Sequence, residues 1–325
     1  MMIKEDKLIL AVDIGGSKFV VGFMDFEGNV MHQQRYPWFN PTAEMLFEKV
    51  AEKVDVLFRE HPSEARRVVV AGMTLPGIAN PKTGIWLNSG YMKISNLPIA
   101  EPFEKKWGIP VYVDNDCKAC ALAERYFGAA KNCNDFFYLT ASNGVGGAVF
   151  TNGHLYYGAT GRSAEIGCCV IRENGRLSDE GTVRGNLEMY ACGRGLVKNY
   201  LEAGGNETVD GHAVDGLMIA ELAQKGDYAA LKALELEGYY LGKGIAWACC
   251  FFDPAKVIIG GGLSMIFDLY KDKLLETFAE NYGLQEAMRI QIVPTPLGYF
   301  GALMGAGTLG IRGYQNRFDD IPDHF

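Results

Sequence analysis

Hydrophobic positions along the chain follow two periods, one of strands and one of helices. Leu8–Ile14 is a continuous apolar run of strand length, and Phe19–Phe26 and Val30–Tyr36 alternate, with the turn residues Glu27-Gly28-Asn29 between them. Thr42–Arg59 sets Leu46, Val50, Val54, Leu57 and Phe58 at helical spacing. Val68–Met73 reads as a buried strand, Glu101–Trp107 as a short helix, Val111–Val113 as a strand and Lys118–Phe127 as a helix. The second half repeats the theme. Phe136–Ala141 is a strand, and Gly146–Phe150 and His154–Tyr157 flank Asn152-Gly153, a strong hairpin signal. Val214–Gln224 and Tyr228–Phe252 predict helices, the second buried because it is rich in small residues. Strand Lys256–Ile259, helix Ile266–Glu280, strand Ile290–Val293 and helix Ala302–Leu309 complete the series. Strands first, then alternating helix and strand, predict an α/β fold with mixed sheets. Two such halves with facing glycine loops predict a cleft between domains.

Composition narrows the class without changing it. The 325 residues suffice for two ordinary domains, and 48% hydrophobic with 22% charged residues is the balance of a globular protein. A net charge of −8 argues against a nucleic-acid surface, which needs a basic stripe. No apolar run reaches the ~20 residues that span a bilayer. The N-terminal MMIKEDKLILAVDIGG runs into the first strand without a cleavable apolar leader, so a cytoplasmic protein with no membrane partner is expected. Eight cysteines, most in apolar segments, fit that compartment as free thiols. Cys117 and Cys120 form a C-x-x-C, read here as packing in preference to redox chemistry because no second pair stands at zinc spacing.

The chemistry concentrates where strands end. Asp116, in VYVDNDCKAC, follows an apolar β-branched run and opens a helix, a position that exposes a carboxylate and holds it rigidly. In DIGGSKFVVG, Gly15 and Gly16 let backbone N–H groups approach phosphate oxygens, and Asp13 could orient a magnesium ion through water. A tight hairpin would use the same residues, so both readings stand. Ser142, Asn143 and Gly144 in LTASNGVGGAVF lie in a strand–turn–strand context that is not a Walker A loop, since no Lys-Ser/Thr follows. VIIGGGLS leaves a buried strand for a helix, with room for an adenine or ribose against Gly261 and Gly262. Glu165, expected to precede an apolar strand, and Glu188, near the start of a helix, are acids of the kind that grip adjacent sugar hydroxyls; the plain alternative is two solvated surface acids.

Together these strings resemble the ROK family of repressors, open reading frames and sugar kinases, within the actin-like ATPase fold. The landmarks are DIGGSK, LPGIANPKTG, VYVDNDCKACALAE, TASNGVGGAV, GATGRSAEIG, GNLEMYACGRGL, LGKGIAWACCFFDPAKVIIGGGLS and LGYFGALMGAG, and their order is similar to that of glucokinase-like members. The resemblance implies a two-domain actin-like ATPase (ribonuclease H-like) fold with an interdomain cleft. Its smaller domain would comprise 1–114 with 311–325, and its larger one 115–310. It implies ATP with Mg2+ as donor, a glucose-like hexose or N-acetylhexosamine as acceptor, and a homodimer. Asp116 matches the catalytic base. Gly77, Asn88, Asn115, Asp116, Glu165, Cys168 and Glu188 are the expected sugar-side positions. Asp13, Gly15, Gly16, Ser17, Lys18, Asn143, Gly144, Gly261 and Gly262 are the expected nucleotide-side positions. No winged-helix segment precedes Asp13, which favours a kinase over a repressor.

Departures from the family pattern set the rival reading. Members commonly carry a histidine three residues after the Glu165 equivalent and a C-x-C-G-x-x-G-C cluster before the Glu188 equivalent, which hold a structural zinc. Here those positions are Cys168, Asp179, Gly181 and Asn186, so no structural zinc is expected. Ser142 and Asn143 replace the usual Gly-Thr, and Cys117 and Lys118 the usual Ala-Asn. The rival is therefore a sugar-binding sensor that has lost catalysis. A kinase using another donor such as polyphosphate also stays open.

Overall fold

The computed structural model describes residues 6–38, 41–90, 92–179, 181–283, 289–318 and 321. Internal contacts group the chain into two units. The first comprises Met1–Asn132, His154–Ser163 and Phe300–Phe325, and the second Cys133–Gly153 and Ala164–Tyr299.

The first unit is built on β1 (Leu8–Ile14), β2 (Lys18–Met24), β3 (Val30–Pro37), α1 (Ala43–Glu60), α2 (Pro62–Ala65) and β4 (Val68–Leu75). It continues through β5 (Ile78–Asn80), β6 (Ile85–Ser89), β7 (Ile94–Pro98), α3 (Ala100–Trp107), β8 (Val111–Asn115) and α4 (Asp116–Tyr126). Its main sheet has the order β3-β2-β1-β4-β8, antiparallel over the first three strands and parallel from β1 through β4 to β8. Leu46, Val50, Val54 and Leu57, the predicted stripe of α1, are buried on one face among Leu8, Leu10, Phe23 and Met73. Thr42 caps that helix, its hydroxyl accepting from Met45 N–H at 3.3 Å.

A short β11 (His154–Tyr156) also belongs to the first unit, and the second contains β9 (Phe136–Ala141), β10 (Val145–Thr151), α5 (Gly193–Glu202), β12 (Thr208–Val209), β13 (His212–Ala213), α6 (Gly216–Gln224), α7 (Tyr228–Phe252), β14 (Lys256–Gly260), α8 (Lys271–Tyr282) and β15 (Gln291–Pro294). β10 pairs antiparallel with β9, and β9, β14 and β15 run parallel. Asp227 caps the long α7 by accepting from Ala230 N–H at 2.8 Å. α9 (Gly301–Tyr314) belongs to the first unit and lies against its sheet. A Cβ on Gly72 would stand 1.9 Å from the Ala306 carbonyl, so this close approach requires glycine.

Two expectations need correction, and one sheet was not anticipated. Ile266–Glu280 is not one helix. A 3-10 stretch, Gly262–Leu269, ends at Tyr270 (φ −130°), whose buried ring sends its hydroxyl back to Leu263 O at 3.0 Å, and α8 restarts at Lys271. Glu165 does not precede an apolar strand but stands at the N-cap position of a 3-10 turn, Ile166–Cys168, without a side-chain cap bond. Residues 78–98, unassigned from the sequence, form a three-stranded antiparallel sheet, β5-β6-β7.

Candidate active site

In the first unit, β8 ends and α4 begins at the Asn115–Asp116 peptide. Asn115 caps the helix, its Oδ1 accepting from Lys118 N–H at 3.0 Å. Its amide nitrogen donates to Gly77 O at 2.8 Å and to Asp116 Oδ1 at 2.9 Å, so both amide hydrogens are engaged. Asp116 Oδ1 also accepts from Cys117 N–H at 2.8 Å. The half-buried Asp116 carboxylate is thus oriented by its neighbours and sits at the N-terminus of a helix. Gly77 has φ +100°, and a Cβ there would lie 2.2 Å from Asn88 O. The structure therefore brings Gly77, Asn88, Asn115 and Asp116 together, with Gly77 the hub.

Beneath this constellation lies a charged network that sequence reasoning missed. Asp114, 1% exposed, accepts from Tyr157 OH at 2.5 Å and from Asn115 N–H at 2.7 Å. Arg312 Nη1 donates to the same Tyr157 oxygen at 2.9 Å. The buried Lys118 ammonium donates to Gly161 O at 2.9 Å and lies 5.8 Å from the centre of the Tyr157 ring. Burial pushes the Asp114 carboxyl up, against the opposing pull of Lys118, the Tyr157 hydrogen bond and Arg312. Burial likewise pushes the Tyr157 hydroxyl well up, and the Asp114 charge adds to it. Lys118, a departure from the family pattern, is therefore a buried counter-charge. The string DND contained Asp114, but its partners stand 43 and 198 residues away.

At the end of β1, Asp13 accepts from Thr74 Oγ1 at 2.6 Å. Desolvation raises its carboxyl, partly offset by Thr74 and Lys18. A carboxylate whose charge is opposed by burial gains from a cation, and Mg2+ takes one or two carboxylates plus phosphate oxygens, so Asp13 fits that ion. Gly15 N–H donates to Lys18 O at 2.9 Å and Gly15 O accepts from Trp38 Nε1 at 2.9 Å, so Gly15, Gly16, Ser17 and Lys18 form the β1–β2 turn.

In the second unit, one end of β10 gathers the acidic positions. Glu188, in a 3-10 turn (Leu187–Met189) four residues ahead of α5, accepts from Val145 N–H at 2.9 Å. A Cβ on Gly144 would lie 2.3 Å from Glu188 Oε2, and one on Gly167 would lie 2.1 Å from Val145 O. The turn carrying Glu165 and Cys168, both exposed, is thereby seated against the same residue. Ala164 precedes it at φ +63° in a three-residue turn closed by Ile166 N–H to Ala164 O at 2.7 Å. A left-handed alanine is strained by about 1 kcal/mol or more, and such strain concentrates at functional sites.

Arg194, absent from the sequence-based set, ties this region together. Its guanidinium donates to Asn143 O at 2.8 Å, to Glu188 Oε1 at 3.1 Å and to Asp179. Arg176 fastens the other side, with Glu202, Asn199 and Met189 O as partners, and lies 4.6 Å from the Tyr190 ring centre. Residues expected to lack a zinc site do not fit the ion among the described positions: Asp179 is paired with Arg194 and Lys198, Gly181 has no side chain, and Asn186 offers an amide. Gly261 (φ +79°) packs on Ala141 O, a Cβ there falling 2.4 Å away, whereas a Cβ on Gly262 would meet nothing within 4 Å. Of the three glycines in that loop, Gly262 leaves open space. No disulfide forms among the eight cysteines, and Cys117 and Cys120 are buried in α4.

A family model for the ROK family matches residues 9–312. The chain belongs to the ROK family. Among ROK relatives, the glucokinase of Streptomyces coelicolor is 29% identical over 317 residues, covering 93% of this chain and 97% of that protein. The Escherichia coli regulator NagC, described as a DNA-binding transcriptional dual regulator, is 26% identical over 258 residues, and the match spans 78% of this chain but 63% of NagC. The crystal structure of a ROK family glucokinase from Streptomyces griseus, in complex with glucose and AMPPNP, superposes with a TM-score of 0.80 at 28% identity, covering 94% of this chain and all of that one. The fold is thus the mixed α/β actin-like ATPase fold of ROK sugar kinases. Among the described residues no helix is long and apolar enough to cross a membrane.

Proposed function

We propose that the chain is an ATP-dependent sugar kinase that transfers the γ-phosphate to a primary hydroxyl of a hexose, either glucose-like or an N-acetylhexosamine. The observation that carries this reading is the setting of Asp116: a carboxylate at a helix N-terminus, oriented by Asn115 and Cys117 N–H and backed by the buried Asp114–Tyr157–Arg312 network. Glucokinases that match nearly the full chain add support, although repressors match at comparable identity.

In this reading Asp116 accepts the hydroxyl proton as the sugar oxygen attacks the phosphorus, a contribution of ~10²–10⁴-fold in rate. Glu165 and Glu188 accept charge-assisted hydrogen bonds from ring hydroxyls and fix the sugar's pose. The Gly15–Lys18 and Asn143-Gly144 turns are assigned to the phosphate side, although Gly15 N–H itself is taken up by Lys18 O, and Gly262 leaves room for the nucleoside. Magnesium, held near Asp13, would neutralise phosphate charge. A screen of hexoses and N-acetylhexosamines with ATP and Mg2+, read by coupled ADP release, should find at least one sugar that is phosphorylated. Sugar binding by calorimetry without any turnover would replace this reading with that of a sensor. Turnover with polyphosphate and none with ATP would change the donor.

A further inference from the structure

We propose that His32, His61 and Glu64 form a binding site for one divalent transition-metal ion of the zinc class. The site is separate from the candidate catalytic residues. It lies on β3, and Asp116 follows β8. These strands are the two edges of the sheet β3-β2-β1-β4-β8, four strand spacings or about 19 Å apart.

The chain bends locally to assemble the three side chains. The β2–β3 register shifts between Val21 and Phe23, so β3 carries an extra residue opposite Gly22. A Cβ on Gly22 would stand 3.1 Å from Gln33 Cα and 3.2 Å from Met31 O, so the bulge is fitted to a glycine. His32 within it takes φ +53°, a left-handed conformation uncommon for any residue but glycine and several-fold enriched in histidine, asparagine and aspartate. His61 sits at the junction of α1 and α2, and its ring stacks on that of His32 at 3.6 Å between centroids. Phe23 turns its ring nearly perpendicular to both, 6.3 Å from His32 and 6.5 Å from His61. Glu64 brings Oε1 to 3.8 Å from His32 Nε2, while Ser63 Oγ donates to its other oxygen at 2.5 Å.

One ligand atom from each residue lies within 4.8 Å of the others. Two ligands of one tetrahedral zinc stand about 3.3 Å apart, so closing the set takes side-chain rotation of ångström scale. The two rings are 22° from parallel, and their lone pairs converge only when one ring turns about its Cβ–Cγ bond. His32, 38% exposed at its side chain, has the room to do so. Ring stacking alone would be served by any aromatic residue. It does not call for a carboxylate beside an imidazole nitrogen. Two imidazoles and one carboxylate are the donor set of zinc and its neighbours, not of magnesium or calcium, and three protein ligands leave a position for water.

The test is to strip the purified protein with chelator and titrate it with Co2+ by visible absorption and with Zn2+ by calorimetry. The expected result is one saturable equivalent, with a tetrahedral Co2+ band and no thiolate charge-transfer band, which separates this site from the eight cysteines. His32→Asn, chosen because asparagine tolerates the left-handed backbone, and His61→Gln should each weaken binding at least about tenfold. Sugar turnover in His32→Asn should stay at the wild-type level. Glu64→Gln, a surface change that spares the fold, should also weaken binding. Absence of saturable binding, or affinity unchanged in all three variants, would overturn the proposal.

Discussion

The two units hold their acidic groups in opposite ways. Beneath Asp116 the charges are buried and their partners fixed: Asp114 and Arg312 are 1% and 3% exposed, and both meet at the Tyr157 hydroxyl. Around Glu188 the charges are half-exposed, with Arg194 at 45% and Asp179 at 48%, and they pair in an open network. A buried, fully partnered charge cannot shift without leaving an unpaired group in low dielectric, which is costly. A half-exposed arginine can exchange partners with water at little cost. Under the proposed function, the first arrangement would suit a base that must not move, the second a loop that must adjust to a sugar.

Removing the base should give the largest effect. Asp116→Asn keeps the shape and the cap but cannot take a proton, so turnover should fall ~10²–10⁴-fold while sugar binding by calorimetry is nearly kept. Turnover within a few-fold of wild type would remove Asp116 from that role. Tyr157→Phe tests the rigid side of the comparison. It leaves Asp114 Oδ2 and Arg312 Nη1 without their shared hydroxyl, a loss of about 1–3 kcal/mol in stability, together with slower turnover and a nearly unchanged sugar KM. A variant as stable as wild type would show that the network is not what fixes the base.

The third prediction concerns a fully buried carboxyl of the second unit that breaks the pattern among the described residues. Glu237, in α7, is 0% exposed and neither carboxylate oxygen has a hydrogen-bond partner. Burial pushes its carboxyl well above the usual range. A raised folded-state value means that the native protein holds the proton more tightly than the unfolded chain. The associated stability is complete below about pH 4, the unfolded value, and is lost as pH rises toward the folded one. Glu237→Gln should therefore gain on wild type with increasing pH, by up to about 1.4 kcal/mol per pH unit, in denaturant melts across that window. Parallel curves would mean that a partner stabilises the ionised form. The smallest effect belongs to the open side. Arg194→Ala should change stability by about 1 kcal/mol or less yet raise the sugar KM, because Glu188 loses its orienting partner. A large stability loss with unchanged KM would reverse the contrast between the units.

Much of this was legible in the sequence, for reasons that differ by residue. The first three strands and α1 carry clean periods, and Asp116 was singled out because an apolar run ends in Asp114-Asn115-Asp116 just where a helix begins. The β5-β6-β7 sheet was not, since its strands have three to five residues and alternate poorly. The break at Tyr270 carries no glycine or proline and depends on a hydroxyl reaching back to Leu263, which only the folded core supplies. Arg194 sits in the recognised string GNLEMYACGRGL, yet its partners Asn143 and Asp179 are brought to it by loops that no periodicity describes.

The packing of α9 on the first sheet constrains the order in which the protein can be made. Ala11 and Val20 are covered by Leu303 and Ala306, and Gly72 touches the same helix. On the ribosome, β1 to β4 emerge roughly 230 residues before α9 does, or about 10–50 s earlier at ordinary synthesis rates. For that interval one face of the nascent sheet is bare, and the first unit cannot finish folding until the whole of the second has been synthesised. The unit that emerges first is therefore completed last, and a chain halted near residue 300 should expose that face to proteases and chaperones.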